Sequence, residues 1–280
     1  MYEAFYRLRE KPFSILPDPD LIYWGPNHRL AYAMLEFGVM NSAGFTVITG
    51  EIGSGKTTLV RQLLRKLDPN ISVGLISNTP HGRKELLQWV MMSLNQPFDD
   101  KYSSLFFKFQ QYLQAQHAKN RRTMLIIDEA QNLQPDALES LRMLSNINAD
   151  KEQFLQLMLV GQPELKDLLR SPELVQFAQR ISVDFHLKPL NAAEVTQYID
   201  YRLQAVGASH TLFSNEACAA IAKASGGIPR KINILCDTAL VYAFAKQSKW
   251  VTEEIVKSVF ADKQEFSIFA QPRPVTAAKE

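Results

Sequence analysis

The sequence has few cysteines, no long apolar run and little net charge, and each shortage narrows the class of protein. Its 280 residues include two cysteines, Cys218 and Cys236, in helix-like apolar stretches without metal-ligand spacing, so we expect reduced core residues in a reducing compartment. No apolar segment approaches the roughly 18 residues of a membrane helix, and charges occupy the N-terminus where a signal peptide is apolar. A net charge of +2 is too small to predict nucleic-acid binding. These features predict a cytosolic protein.

Glycine is concentrated in one short stretch. Three of the 12 glycines fall within six positions, directly after the apolar run 45–49, and a lysine and two threonines follow. This segment matches the phosphate-loop pattern G-x-x-x-x-G-K-[ST] in the expected context of strand, loop and helix. A chance glycine turn before a solvated lysine is the alternative. The predicted nucleotide-binding residues are Gly50, Glu51, Ile52, Gly53, Ser54, Gly55, Lys56, Thr57 and Thr58.

Each residue type in this loop suits a triphosphate. Backbone N–H groups at a helix N-terminus hold the phosphates, and glycines leave room for them. Lys56 would supply a positive charge to the β- and γ-phosphates, and the Thr57 hydroxyl would bind Mg²⁺.

A second acidic element complements the loop. The apolar strand 123–128 ends in Asp128, and Glu129 follows it. Asp128 would hold Mg²⁺, and Glu129 would orient and activate the attacking water, which favours hydrolysis over binding alone. A solvated acidic turn is the alternative for this pair taken alone. Because no guanine-specificity N-K-x-D stretch follows, ATP is the favoured nucleotide.

Strand and helix signals alternate as far as residue 188. Five strands are predicted at 45–49, 71–77, 123–128, 154–161 and 181–187, separated by helices. The last strand alternates apolar and polar residues, as a half-covered edge strand does. The predicted fold class is therefore α/β, a P-loop NTPase with a parallel five-stranded sheet and helices on both faces.

Only helical signals remain after Pro189. One of these helices begins with an Asn cap followed by Glu194 at the third position, and it ends at Gly207. We predict an ATPase core at 1–188 that includes an N-terminal adenine-side segment, a small all-helical lid at 189–265 and a disordered tail at 266–280.

Longer motifs carry a family resemblance. "YEAFYRLREKPFSILPDP", "TGEIGSGKTTLVRQLL", "LIIDEAQNL", "LVGQPEL" and "GGIPRKIN" resemble the AAA+ ATPases of the general secretion pathway protein A (ExeA) type. That branch includes ATPases of pilus biogenesis and of exopolysaccharide and exosortase loci. The resemblance covers residues 1–262, and it implies the AAA+ form of the P-loop fold.

The resemblance also assigns roles to single residues. Gln162 would be the sensor-1 residue near the attacking water, and Arg230 the sensor-2 arginine of the lid. Arg180 would be an arginine finger reaching the γ-phosphate of a neighbouring subunit. The alternative is that Arg180 is an ordinary surface arginine. Tyr23 and His28 are candidates for the adenine side, with a packed aromatic and a helix-start histidine as the alternatives.

An arginine finger that acts on a neighbour implies a homo-oligomer, a ring or an open helix, commonly of six subunits. We expect an oligomeric ATPase motor or scaffold that uses ATP and Mg²⁺ in bacterial envelope machinery for secretion, pili or polysaccharide export. The membrane span and periplasmic module of the secretion-pathway members are not seen here, so we expect membrane association only through a partner.

Two other functions remain open. The first is a DNA-associated, transposition-type AAA+ regulator. Such a protein needs a basic surface, and the sequence offers the basic stretches 61–66 and 119–122 for it. The simpler explanation is that these stretches are solvated ends of helices and loops. The second is an ATP-gated switch with slow turnover.

Overall fold

A computed structural model describes residues 1–77, 82–149 and 152–266. The strands are β1 Phe45–Gly50, β2 Ile71–Ile76, β3 Arg122–Ile127, β4 Asn148–Ala149, β5 Glu152–Gln153, β6 Leu155–Gly161 and β7 Ile181–Leu187. The helices are α1 Tyr2–Phe5, α2 Pro26–Met40, α3 Lys56–Lys66, α4 Arg83–Ser93, α5 Tyr102–His117, α6 Pro135–Leu144, α7 Glu164–Leu169, α8 Val175–Ala178, α9 Ala192–Ala205, α10 Asn215–Ser225, α11 Pro229–Ala245 and α12 Glu253–Phe266. Three short 3-10 helices lie at Pro19–Leu21, Ala130–Asn132 and Pro172–Leu174.

The chain divides into two compact units. The α/β unit runs from Trp24 to Lys188, and the helical unit combines Met1–Tyr23 with the residues from Pro189 onward. Five strands of the α/β unit form one sheet in the order β2-β3-β6-β1-β7, with every neighbouring pair parallel. The predicted fold class is confirmed. The antiparallel pair of β4 and β5 was not predicted, because two residues per strand are too few to show a periodic pattern.

Helices cover both faces of this sheet. Successive strand residues point to opposite faces, so Val47 and Leu125 pack among α4, α5 and α6, whereas Ile48 and Ile126 pack against α2 and α3. The central strands β1 and β6 are buried along their whole length, which explains their continuous apolar sequences.

The edge position of β7 is also confirmed. Val183 and Leu187 are buried, whereas Ser182 and Asp184 are exposed. The alternating sequence of this strand therefore reflects one covered and one open face.

The helical unit has its own apolar core, built from α9 to α12 and the N-terminal segment. Helix α9 begins with a complete capping box, in which the Asn191 side chain accepts from the Glu194 backbone N–H and the Glu194 carboxylate accepts from the Asn191 N–H. This unit begins again at Pro189, where the sequence places its boundary. The predicted tail, apart from Phe266 at the end of α12, lies outside the described residues.

The N-terminal segment differs from its prediction. The sequence places residues 1–23 with the ATPase core, but the structure groups them with the helical unit. Arg202, which is 5% exposed, donates from Nε to the Pro12 carbonyl oxygen at 2.6 Å. Three aromatic side chains of the segment are also buried in the helical core: Tyr2, Tyr6 and Phe13. The burial of their apolar surface further stabilises the packing of the segment on this unit.

Candidate active site

The phosphate loop lies at the carboxyl end of β1. Strand β1 ends at Gly50 and helix α3 begins at Lys56, as the pattern predicts. Gly53 and Gly55 have φ values of 80° and 103°, a left-handed region that disfavours side chains. A Cβ on Gly50 would lie 2.9 Å from the Leu187 carbonyl oxygen, so only glycine fits there. The backbone therefore forms the open cradle that a phosphate chain requires.

The lysine of the loop folds back over it. Lys56 is 8% exposed, and its Nζ donates to the carbonyl oxygens of Gly50 at 2.6 Å and Glu51 at 3.0 Å. Burial lowers the pKa of Lys56 below its ordinary value, although the carboxylates of Glu129, Asp128 and Glu51 oppose this effect. The Lys56 ammonium is partly desolvated and bonded to neutral carbonyls. Its hydrogen bond to an anionic phosphate would be stronger, so we expect the side chain to turn toward bound phosphate.

A candidate magnesium site joins the loop to β3. The Thr57 hydroxyl donates to Asp128 Oδ2 at 3.0 Å, which places two oxygen ligands side by side. Mg²⁺ prefers such oxygen ligands and commonly takes only one or two from the protein, with water and substrate phosphates completing its shell. The residues therefore fit the ion that the fold implies.

Glu129 adopts a left-handed conformation, with φ 55° and ψ 36°, at the start of the 3-10 helix 130–132. Its backbone N–H donates to Asp128 Oδ1 at 2.9 Å. Burial alone would raise the pKa of Glu129, but hydrogen bonds from Gln131 and Gln162 and the charge of Lys56 outweigh it and lower the pKa below its ordinary value. The side chain is exposed and ionised, as a group that orients water requires.

The predicted sensor-1 residue lies beside Glu129. Gln162 follows β6 directly, and its Nε2 donates to Glu129 Oε2 at 3.1 Å. The structure thus brings the phosphate loop, Asp128, Glu129 and Gln162 to the carboxyl ends of β1, β3 and β6, which lie next to one another in the sheet.

Arg180 is held elsewhere in the α/β unit. It lies in the turn between α8 and β7, and its Nη1 donates to the Arg142 carbonyl oxygen at 3.3 Å and to Ser145 Oγ at 2.9 Å. A further hydrogen bond runs to Asn146 Oδ1. In this chain the guanidinium is therefore bound to the end of α6.

The remaining candidates occupy other positions. Arg230 is exposed at the second position of α11 in the helical unit. Tyr23 also belongs to the helical unit, where its hydroxyl donates to Gln197 Oε1 at 2.6 Å and its ring packs edge-on against Tyr198. His28 is buried in α2, with Nε2 lying 3.1 Å from the Ser54 carbonyl oxygen. The contact places His28 beneath the phosphate loop.

Sequence reasoning missed Gln131. Its side chain contacts both Glu129 and Gln162, although the motif that contains it, "DEAQ", gave a role only to the two acids. The available signal was its position two residues after Glu129. That spacing brings the Gln131 side chain to the Glu129 carboxylate only because Glu129 is left-handed, and the sequence does not reveal this conformation.

Residues 39–169 match the family model described as an AAA domain. Over that range the chain is similar to AAA domains. Over 250 residues it is 40% identical to General secretion pathway protein A of Aeromonas hydrophila, and the alignment covers 89% of this chain and 46% of the relative. The chain therefore spans about half the length of the curated relative that it matches.

Solved structures share the fold of this chain. One is the Aeropyrum pernix ORC2 protein in ADPNP-ADP complexes, with a TM-score of 0.62, 16% identity and coverage of 88% of this chain and 71% of that one. Another is Drosophila ORC bound to DNA, with a TM-score of 0.64, 16% identity and coverage of 94% and 66%. At these identities the likeness shows the fold alone. No helix among residues 1–77, 82–149 and 152–266 is long and apolar enough to cross a membrane.

Proposed function

We propose that this chain binds ATP with Mg²⁺ and hydrolyses it to ADP and phosphate. The observation that supports this most strongly is the hydrogen bond between Thr57 and Asp128, beside a phosphate loop closed by Lys56 and a carboxylate at Glu129. Each of these groups has a distinct task in phosphoryl transfer, and a chance glycine turn would not bring them together.

Different residues have different roles in the proposed ATP hydrolysis. Backbone N–H groups of the loop and Lys56 hold the phosphates, and Thr57 and Asp128 hold the metal. Bound Mg²⁺ would neutralise charge on the phosphate oxygens. Glu129 and Gln162 position the attacking water, so catalysis is mainly positioning and electrostatic stabilisation.

The active form is proposed to be an oligomer, a ring or an open helix of about six subunits as the family resemblance implies, with Arg180 acting on the neighbour's ATP. Within the chain its Nη1 is held by acceptors at the end of α6, so the guanidinium would exchange these for the neighbour's γ-phosphate when the oligomer forms. A positively charged finger of this kind contributes about 10³-fold or more to turnover. Arg230 would couple the γ-phosphate to the helical unit.

The cellular task is proposed from the curated relative. Because 40% identity extends over 89% of the chain, we infer that this ATPase works as a motor or scaffold in the envelope, as the relative's name indicates for a secretion pathway. Membrane association through a partner fits that role. The likeness to DNA-bound ORC, at 16% identity, does not extend DNA binding to this chain.

The test is ATP hydrolysis per protomer against protein concentration, for wild type, Arg180→Ala and Arg170→Ala. Arg170 is an exposed arginine at the end of α7 and serves as the matched control. We expect activity that rises with concentration, falls about 10³-fold in Arg180→Ala and persists in Arg170→Ala. Circular dichroism and the affinity for a fluorescent ATP analogue should be unchanged in both variants.

Other outcomes would identify other functions. Tight ATP binding with negligible turnover at every concentration would refute hydrolysis and indicate a nucleotide-gated switch. Stimulation by DNA that disappears steeply with added salt would indicate the DNA-associated alternative.

A further inference from the structure

Three hydrogen bonds connect Glu129, Gln131 and Gln162 in a closed ring. Gln131 Nε2 donates to Glu129 Oε2 at 2.6 Å, and Gln162 Nε2 donates to the same oxygen at 3.1 Å. The ring closes where the Gln162 backbone N–H donates to Gln131 Oε1 at 3.0 Å. Gln131 thus bridges two residues that lie on different strand ends.

The backbone is shaped to form this ring. Glu129 adopts its left-handed conformation immediately before the short 3-10 helix Ala130–Asn132, and this turn brings the Gln131 side chain back beside the Glu129 carboxylate. At the end of β6, Gly161 leaves room for the bridging amide, because a Cβ there would lie 3.0 Å from Gln131 Oε1. Both elements therefore accommodate the glutamine.

The ring requires a side chain at position 131 that donates and accepts, as the amide of Gln131 does. A carboxylate can only accept and a backbone N–H can only donate, so the bridge must offer one donor and one acceptor at the same time. Both side-chain amides donate to Oε2 of Glu129. Among residues 1–77, 82–149 and 152–266 no group donates to Oε1 of Glu129, which leaves that oxygen available to water.

We propose that Gln131 is a positioning residue for ATP hydrolysis, which fixes the Glu129 carboxylate so that Oε1 faces the attacking water. This inference rests on the proposed function. An untethered glutamate would sample several rotamers, and a displacement of about 1 Å at a reacting group can lower turnover about 10²-fold. The hydrogen bonds of Gln131 run to the Glu129 carboxylate and to the Gln162 backbone, so its loss should lower kcat and leave ATP binding intact.

The plain alternative is that Gln131 is structural and only ties the β3 end to the β6 end through the Gln162 backbone. Gln131→Glu separates the two roles. Its carboxylate keeps an acceptor for the Gln162 N–H but has no donor for Glu129, and it places two like charges together. A structural tie would survive this change, whereas the orientation of Glu129 would not.

The first experiment measures kcat and KM for ATP in wild type, Gln131→Glu and Gln134→Glu. Gln134 is exposed three residues downstream at the start of α6, so it carries the same chemical change outside the ring. We expect kcat to fall about tenfold to a hundredfold in Gln131→Glu with KM nearly unchanged, and both constants to be preserved in Gln134→Glu. A Gln131→Glu enzyme with normal kcat, or with KM alone changed, would overturn the positioning role.

The second experiment does not depend on activity. Side-chain amide signals of Gln131, Gln134 and Gln162 would be followed by NMR in the ¹⁵N-glutamine-labelled chain and in its Glu129→Ala variant. We expect the Gln131 and Gln162 amide protons to shift when their shared acceptor is removed, and Gln134 to stay in place. An unmoved Gln131 signal would overturn the inference even if turnover is normal.

The two experiments also separate this inference from the function beneath it. Wild type without turnover would refute the proposed function and the positioning role with it, whatever the NMR shows. Wild type that turns over equally with and without the Gln131 amide would overturn only the positioning role.

Discussion

The two adjacent glycines before Arg230 should respond very differently to the same substitution. Gly226 and Gly227 both have positive φ values, 60° and 74°, so alanine is strained at either position by about 1–2 kcal/mol. Their surroundings differ. A Cβ on Gly226 would meet no atom of the described residues within 4 Å, whereas a Cβ on Gly227 would lie 1.9 Å from the Leu190 carbonyl oxygen.

The clash at Gly227 has further costs. A carbon and an oxygen atom need roughly 3.3 Å, so the backbone around Leu190 must move by more than an ångström. That movement breaks the hydrogen bond from the Leu190 N–H to the Gly227 carbonyl at 2.9 Å, which is worth about 1 kcal/mol. Repacking strain adds about 1–2 kcal/mol, for a total of about 3–5 kcal/mol in Gly227→Ala.

Hydrogen exchange of the α9–α11 segment, followed by mass spectrometry over a series of urea concentrations, reports the stability of the helical unit. We expect Gly227→Ala to lower its opening free energy by about 2–3 kcal/mol more than Gly226→Ala does. Equal losses in the two variants would show that the close approach to Leu190 does not limit this turn.

Three further predictions concern other contacts. Thr57→Val removes the hydroxyl beside Asp128, so Mg²⁺ should no longer strengthen binding of a fluorescent ATP analogue, while metal-free binding stays the same. Arg202→Met leaves the buried Pro12 carbonyl without its donor and should lower the free energy of unfolding by about 2–3 kcal/mol in urea titrations. Burial raises the pKa of Tyr6 to about 12, whereas an unfolded tyrosine ionises near about 10. The stabilisation that the neutral Tyr6 side chain gives the folded state is therefore complete below about pH 10 and lost as the pH rises toward about 12. Over that range the urea midpoint of Tyr6→Phe should fall less than that of wild type.

The sheet could be predicted from the sequence because its signals are local. The continuous apolar segment that ends at Asp128 indicates a buried strand, and the alternation from Ile181 to Leu187 indicates an edge strand. The phosphate loop is equally local, since its glycines and lysine stand within eight positions. Patterns of this kind need no knowledge of distant residues.

Contacts between distant residues could not be predicted in the same way. Tyr2 and Tyr6 stand four positions apart, as on one face of a helix, but nothing near them in the sequence shows that the core that they and Phe13 enter is built from residues beyond 189. Gln131 depends on a left-handed residue that no periodicity reveals. The acceptors of Arg180 are the end of another helix, so its sequence neighbours give no indication of them.

The division of the helical unit has a consequence for how the chain is made. A ribosome releases the aromatic residues of the first 23 positions before the whole α/β unit, whose last strand ends at Leu187. At about 5–20 residues per second, the core that buries those aromatics becomes complete only tens of seconds after Tyr2 has emerged. The α/β unit can fold during that interval, while the aromatic side chains of the N-terminal segment remain without the core that buries them. Chaperones that recognise exposed aromatic side chains in nascent chains should therefore engage this protein at its first 23 residues.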